Sequence, residues 1–198
     1  MTSHSDTPSL TGTVGLMSGP RLDIFHPDPL LLQIDQIANS LGNLCRFGGQ
    51  VWHFYSVAEH CCHVSSLFDL KTQPELALAG LLHDAAEAYL GDVITPIKNL
   101  LPEYQQVEAE FHSIIFKKYG LTMDHMEKII WADKAAVVIE ARQLTSGEWT
   151  EGLYINPEHW FKVESWNPDF AKARYLERYW EIINTQNTNN VARTDGEY

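Results

Sequence analysis

The chain carries the sequence PELALAGLLHDAAEAYL at residues 74–90. Apolar side chains dominate it, and its proline stands at the start, where the first turn of a helix needs no backbone N–H group. The segment therefore predicts one continuous, largely buried helix. His83 and Asp84 are adjacent within it, and a buried carboxylate is costly unless a cation or hydrogen bonds compensate for it. We expect this helix to carry part of the core and part of a site.

Segments on both sides of this helix repeat the apolar spacing of one helix face. In residues 34–44 the apolar positions are Ile34, Ile37, Ala38, Leu41 and Leu44. Similar patterns predict helices over residues 57–70, 102–119, 123–144 and 167–183, with loops at 47–56, 91–101 and 146–166. Strand signals are few. The sequence predicts an all-α fold, a bundle of five to seven helices.

The length of 198 residues suits one domain with a single sizeable core. We expect that domain to span residues 21–183. The polar, aperiodic ends, residues 1–20 and 184–198, are predicted to be flexible tails.

The formal net charge of −12 argues against a polymeric nucleic acid as partner, because a polyanion needs a basic surface. A small anionic substrate remains compatible with this charge. A bound divalent cation, with one or two Lys or Arg side chains, can reverse the sign locally inside an acidic protein.

The cysteine count, the N-terminal sequence and the apolar runs indicate the cellular compartment of the protein. Cys45, Cys61 and Cys62 are an odd number of cysteines, which argues against a disulfide framework. The start MTSHSD lacks the basic and apolar pattern of a secretory signal, and runs such as residues 77–82 are far shorter than the roughly 20 residues that span a bilayer. We expect a cytoplasmic protein without a membrane partner, in the host cytoplasm if it is phage-encoded. The Trp and Tyr residues toward the C-terminus would allow a homo-oligomer.

Four candidate metal ligands lie on three predicted helices: His60, the His83-Asp84 doublet and Asp133. Neighbouring residues of a helix point about 100° apart. One ion can therefore contact both members of the doublet only at a junction with other helices. Two imidazoles and two carboxylates suit a divalent transition ion such as Zn, Mn, Co, Ni or Fe better than Mg or Ca.

In this order the residues resemble the metal motif of the HD superfamily of phosphohydrolases, which has a histidine, a His-Asp doublet and a distal aspartate. The stretches RFGG at residues 46–49 and FYSVAEH at 54–60 are similar to the branch with bacterial 5′-deoxynucleotidases and phage dATP triphosphohydrolases. The resemblance covers roughly residues 20–145 and implies an HD-domain helical bundle.

By this resemblance Glu87 and Asp92 are the catalytic acid–base residues. Glu87 follows Asp84 by one helical turn, so it shares the metal-facing side and can orient or deprotonate the attacking water. Asp92, after Gly91, is placed as a second acid–base group or as a partner for the sugar hydroxyl or the water. Their ordinary alternatives are a solvated helix residue for Glu87 and a turn or cap for Asp92.

The resemblance also implies three substrate-binding residues. Arg46 and Lys98 are the expected phosphate ligands, Arg46 as a bidentate donor and Lys98 as a point charge; a surface charge is the alternative for Lys98. Phe47 would stack on the base, with Trp52 and Tyr55 as alternatives.

Other conspicuous side chains are assigned to packing. Consecutive Cys61, Cys62 and His63 cannot converge on one ion, so we interpret them as packing residues, and His53 is an auxiliary candidate at the mouth of the site. The tryptophans beyond the matched region are expected to be core or interface anchors; they are Trp149, Trp160, Trp166 and Trp180.

These features predict a metal-dependent phosphohydrolase of 2′-deoxynucleotides. The favoured form is a dATP or dNTP triphosphohydrolase that releases deoxynucleoside and triphosphate, with additional Mg brought by the triphosphate. A 5′-deoxynucleotidase acting on dNMPs is the alternative within the class. A nucleotide-sensing regulatory module with a structural metal is the alternative of another class.

Overall fold

The computed structural model describes residues 12–195, and it confirms the all-α, single-domain prediction. Within these residues two short strands, β1 (Thr13–Gly15) and β2 (Arg21–Asp23), precede eight helices. The helices are α1 (Ile34–Asn43), α2 (Val57–Ser66), α3 (Pro74–Leu82), α4 (Glu87–Leu90), α5 (Thr95–Lys98), α6 (Pro102–Lys118), α7 (Met123–Leu144) and α8 (Pro168–Asp195). Two of them, α4 and α5, are single turns. The six longer helices agree with the predicted number of five to seven.

Local side-chain chemistry sets several helix ends. The Ser56 hydroxyl accepts the backbone N–H of Glu59 at 3.1 Å and so caps the first turn of α2. α6 ends before Gly120, whose φ of 75° is a left-handed conformation that favours glycine. The predicted bounds of α1, α6 and α7 lie within one residue of the observed ones, whereas α8 extends past the predicted end at residue 183.

The predicted continuous helix over residues 74–90 is interrupted at the His83-Asp84 doublet. The Ala85 N–H bonds the Leu82 carbonyl at 3.0 Å and the Glu87 N–H bonds the Asp84 carbonyl at 3.0 Å. These bonds span three residues rather than four, which tightens the turn between α3 and α4. Side chains three residues apart eclipse each other in such a turn, so Asp84 and Glu87 lie on the same side. The prediction of one unbroken helix was wrong at this point.

Helix α3 is the buried centre of the bundle and packs against α2, α6, α7 and α8. Its approach to α2 depends on Gly80, because a Cβ there would lie 3.1 Å from the Cα of Ser65. This close packing brings the ligand-bearing parts of α2 and α3 next to each other.

Parts of the predicted tails and loops have regular structure. β1 and β2 form an antiparallel pair in which Thr13 lies opposite Asp23, and α8 continues through the segment that begins at residue 184. Helix α5 lies in the predicted loop at residues 91–101. Residues 1–11 and 196–198 of the predicted tails lie outside the described residues, and the flexibility of the ends stays a prediction.

Among the helices of residues 12–195, none combines the length and the apolar character that a membrane crossing requires.

Candidate metal centre

The four predicted ligands converge on one point. Nε2 of His60 on α2 lies 3.1 Å from Nε2 of His83, which directly follows α3. Oδ2 of Asp84 is 3.5 Å from the first of these nitrogens and 3.2 Å from the second. Oδ1 of Asp133 on α7 is 3.3 Å and 3.7 Å from the same two atoms. Three separate parts of the chain therefore bring two imidazoles and two carboxylates together.

These distances fit the coordination shell of a transition ion. Two atoms that are each about 2.1 Å from one ion lie about 3.0 to 3.4 Å apart at coordination angles of about 90° to 109°. His60, His83 and Asp84 form the tightest group, with ligand atoms within 4.8 Å of one another. Asp133 stands outside that three-residue group, but its distances to both imidazoles are in the same range. The residues present fit a mixed nitrogen and oxygen site.

The far nitrogens of both imidazoles are held by acceptors. Nδ1 of His83 lies 2.8 Å from the Gly80 carbonyl, which can only accept, so Nδ1 carries a proton and Nε2 presents a lone pair in the neutral ring. Nδ1 of His60 lies 2.6 Å from Oε1 of Glu140. Hydrogen bonds of this kind fix the tautomer and the orientation of metal-binding histidines.

Glu140 is a fully buried carboxylate that the sequence prediction missed. Besides His60 it accepts the Tyr55 hydroxyl at 2.9 Å, and its Oε2 lies 3.4 Å from Nε of Arg46. It follows Asp133 by seven residues, two turns along α7, so helical spacing was a signal that could have found it.

The local electrostatic environment separates the carboxyl pKa values of the site. Burial opposes ionisation of Asp84, but His83, His60 and Arg46 hold its pKa below the ordinary value. Burial raises the pKa of Glu87 well above the ordinary value, and the charges of Asp84 and Asp92 add to this. Burial also raises the pKa of Asp92. Carboxyl groups with a lowered pKa and carboxyl groups with a raised pKa therefore lie close together. Such perturbed pKa values are common at acid–base sites.

The predicted phosphate ligands lie at this centre but already have acidic partners. Nη1 of Arg46 is 3.1 Å from Oδ2 of Asp84. Nζ of Lys98 is 2.7 Å from Oε1 of Glu108 and 3.7 Å from Oε1 of Glu87. Glu108 is a second carboxylate that the sequence prediction missed, because it lies on α6, which carries no predicted site residue.

A backbone hydrogen bond joins the two ends of the loop that begins at Arg46. The Arg46 N–H bonds the Tyr55 carbonyl at 2.9 Å, which keeps the residue beside the start of α2. Phe47 follows with a φ of 57°, a conformation that costs a residue other than glycine roughly 1–2 kcal/mol. This strained backbone holds the ring at the site.

A cavity of about 680 Å³ opens above the centre. Seven predicted site residues line it: Arg46, Phe47, Asp84, Glu87, Asp92, Lys98 and Asp133. The buried His60 and His83 lie beneath its floor. Its other lining residues form an apolar wall, Val93, Ile94, Pro96, Val137 and Trp149, and a polar part, Gln50, Thr95, Thr145 and Ser146.

Several secondary predictions need correction. Trp149 was expected to be a core or interface anchor, yet it lines the cavity and is 57% exposed. Tyr55 cannot be a base platform, because it is fully buried and donates to Glu140. Trp52 is 66% exposed and does not line the cavity. His53 is exposed and is also not among the lining residues.

The predicted packing residues fall into two groups. Cys61 and Cys62 are buried, and burial raises the pKa of Cys61 to about 11, which fits packing. His63 and Trp166 line a second cavity. Trp160 and Trp180 remain about half exposed, so they are not core residues.

The chain is similar to two curated proteins, each described by name as uncharacterized. YfdR of Escherichia coli (strain K12) is 36% identical over 149 residues, which is 74% of this chain and 82% of that protein. RCAP_rcc00048 of Rhodobacter capsulatus is 37% identical over 134 residues, 64% of this chain and 68% of that protein. A scan against protein-family models found no match.

Proposed function

The chain belongs to the protein family that includes YfdR of Escherichia coli and RCAP_rcc00048 of Rhodobacter capsulatus, and we propose that it is a metal-dependent phosphohydrolase of small nucleotides. The resemblance to the HD superfamily supports this proposal. So does the convergence of His60, His83, Asp84 and Asp133 beneath a cavity that is large enough for a nucleotide. That convergence is the observation that carries the proposal.

The ligand set suits a divalent ion such as Zn, Co, Mn, Ni or Fe. When bound, such an ion supplies Lewis-acid stabilisation of the phosphoryl oxygens and lowers the pKa of the attacking water.

Glu87 and Asp92 would move the protons. Water attacks phosphorus, and Glu87 accepts its proton from the side that it shares with Asp84. Its raised pKa makes it a better base than an ordinary glutamate. Asp92 lines the same cavity with a raised pKa, so it is suited to protonate the ester oxygen that leaves. The products are the nucleoside and the released phosphate.

Arg46 and Lys98 would hold the phosphoryl oxygens. Arg46 is bonded to Asp84 and Lys98 to Glu108, so each has an acidic partner that fixes its position and leaves further N–H groups for substrate. Charge-assisted contacts of this kind stabilise the developing charge.

The charges in the cavity favour a monophosphate over a triphosphate. Arg46 and Lys98 are the cationic residues among its described lining, against the carboxylates of Asp84, Glu87, Asp92 and Asp133. A divalent ion would balance this acidic excess and leave no surplus positive charge for β- and γ-phosphates. We therefore propose the 5′-deoxynucleotidase form, in which one phosphate meets the centre. The triphosphohydrolase form requires additional Mg to supply the missing charge.

The product identifies the reaction. Protein loaded with Mn, Co or Zn is incubated with matched dNMPs and dNTPs, and orthophosphate and triphosphate are measured separately. We expect orthophosphate from the monophosphates, no release by Asp84→Asn, and full release by Asp124→Asn, a control at an exposed position of α7. Triphosphate from dNTPs would establish the other form. Metal binding without turnover on any nucleotide would refute the phosphohydrolase and favour the sensing module.

A further inference from the structure

A second cavity shares no lining residue with the first and is rich in cations. It has a volume of about 370 Å³, and its lining includes Lys162, Arg174 and Arg178. These are three of the 14 lysines and arginines of a chain with a net charge of −12. Cationic side chains are therefore concentrated in this cavity, although the chain as a whole is acidic.

The carboxylates of this cavity already have partners. Among its described lining residues, Glu164 and Glu181 are the acidic ones. Oε2 of Glu164 accepts the indole N–H of Trp166 at 2.7 Å, and Oε2 of Glu181 accepts Nη1 of Arg178 at 3.4 Å. Arg174 also pairs with Glu177, which is not a lining residue. A guanidinium has five N–H donors, so both arginines keep donors for a ligand.

Two further nitrogens of the lining lack a partner within residues 12–189. Nζ of Lys162 makes no hydrogen bond or ion pair there. Nε2 of His63 is buried without a hydrogen bond. Its nearest carboxylate, Oε1 of Glu59, is 3.6 Å away and accepts the N–H groups of Glu164 and Ser165. Within residues 12–189, Lys162 therefore presents a cation without an acidic partner to the cavity.

Arg178 and the backbone of residues 164–166 are held in place before any ligand arrives. Arg178 donates through Nε and Nη2 to the side chain and carbonyl of Ser65, both at 3.0 Å. Glu59 accepts the backbone N–H groups of residues 164–166, which anchors the segment next to Lys162. The ring of His63 stacks on Phe161 at 4.1 Å. Arg178 therefore has little conformational entropy left to lose on binding, which favours affinity.

We propose that this second cavity binds a phosphate group, either as inorganic phosphate or as the phosphate of a mononucleotide. A phosphate dianion presents acceptors in several directions, which suits cations from the 162–166 segment and from α8 together with the His63 ring. The cavity is separate from the metal centre, because none of its lining residues lines the first cavity or belongs to the four predicted ligands. The inference does not depend on the proposed phosphohydrolase activity.

The test is isothermal titration calorimetry with inorganic phosphate on the full-length Asp84→Asn protein in EDTA, which removes the metal from the first cavity. We expect saturable binding of one phosphate per chain. Adding Lys162→Gln and Arg174→Gln should weaken it at least about tenfold, because charge-assisted hydrogen bonds contribute substantially to affinity. Lys128→Gln, at an exposed position of α7 outside both cavities, should leave it unchanged.

A parallel titration with dAMP distinguishes the two sources. Similar affinities mean that the site recognises the phosphate of either molecule, and binding of phosphate alone assigns it to the inorganic ion. Circular dichroism checks that the variants keep their helix content, and Lys162→Gln alone repeats the test with a single exposed substitution. The proposal is overturned if Asp84→Asn binds no phosphate, or if folded cavity variants bind it as tightly as their parent.

Discussion

The two cavities differ in the balance of charge among their lining residues. The first cavity has four carboxylates and two cationic side chains in its lining, so it requires a cation before an anion can enter. The second has three cationic side chains and two carboxylates that already have partners. Net charge sets the long-range field of a protein, but each ligand meets only the local balance. One acidic chain can therefore contain a cavity that suits a cation and another that suits an anion.

The largest effect that separates the cavities is expected from Asp84→Ala. This change removes a charged ligand that no neighbouring side chain replaces, so the folded protein should lose its metal and its turnover. Elemental analysis and an assay of phosphate release measure both losses. Phosphate binding in the second cavity should persist in the same protein. Stoichiometric metal with wild-type turnover would show that the first cavity is not a metal site.

A smaller loss is expected from Glu87→Ala, which leaves all four ligands in place. Metal content should stay near that of the wild type, whereas kcat should fall about 10² to 10⁴-fold, the usual contribution of a general acid–base group. Glu103→Ala, at an exposed position in the first turn of α6, is the control. A loss below about threefold at saturating substrate would make Glu87 a buried structural carboxylate rather than an acid–base group.

Glu140→Gln tests whether the buried Glu140 carboxylate positions His60 beneath the first cavity. The carboxylate holds Nδ1 of His60 and lies beside Arg46, so its neutral isostere should weaken metal binding about 10 to 100-fold, as for other carboxylates behind metal-binding histidines. Metal affinity is measured by competition with a chelator. Glu127→Gln, exposed on the same helix, should bind metal normally. Unchanged affinity in Glu140→Gln would make this carboxylate a packing element alone.

The sequence predicted the long helices from their apolar spacing, which is a local property. It predicted the four converging side chains from their residue types together with the resemblance to the HD superfamily. The interruption between α3 and α4 was not predictable, since it depends on backbone bonds that form within the packed bundle. The second cavity was missed because its cations come from a segment without periodicity and from α8, and no motif joins Lys162 to Arg174. Only the fold brings them together.

Trp149 was assigned to the core or an interface because it lies beyond the region of the resemblance, and its position in the first cavity gives the smallest expected effect. Arg142 on α7 holds the turn that contains Trp149. It donates to Thr150 Oγ1 at 3.1 Å, to the Thr150 carbonyl at 3.0 Å and to the Leu153 carbonyl at 2.6 Å. The exposed indole is therefore held over the cavity as a surface on which a nucleobase can stack.

Trp149→Ala should raise KM for a deoxynucleoside monophosphate about tenfold with little change in kcat, because stacking of a base on an aromatic ring contributes about 1–3 kcal/mol. Deoxyribose 5-phosphate, which has no base, should be hydrolysed with an unchanged KM. Trp160→Ala removes a similarly exposed indole outside this cavity and should change neither constant. If Trp149→Ala raised KM for both substrates equally, the indole would shape the cavity without contacting the base.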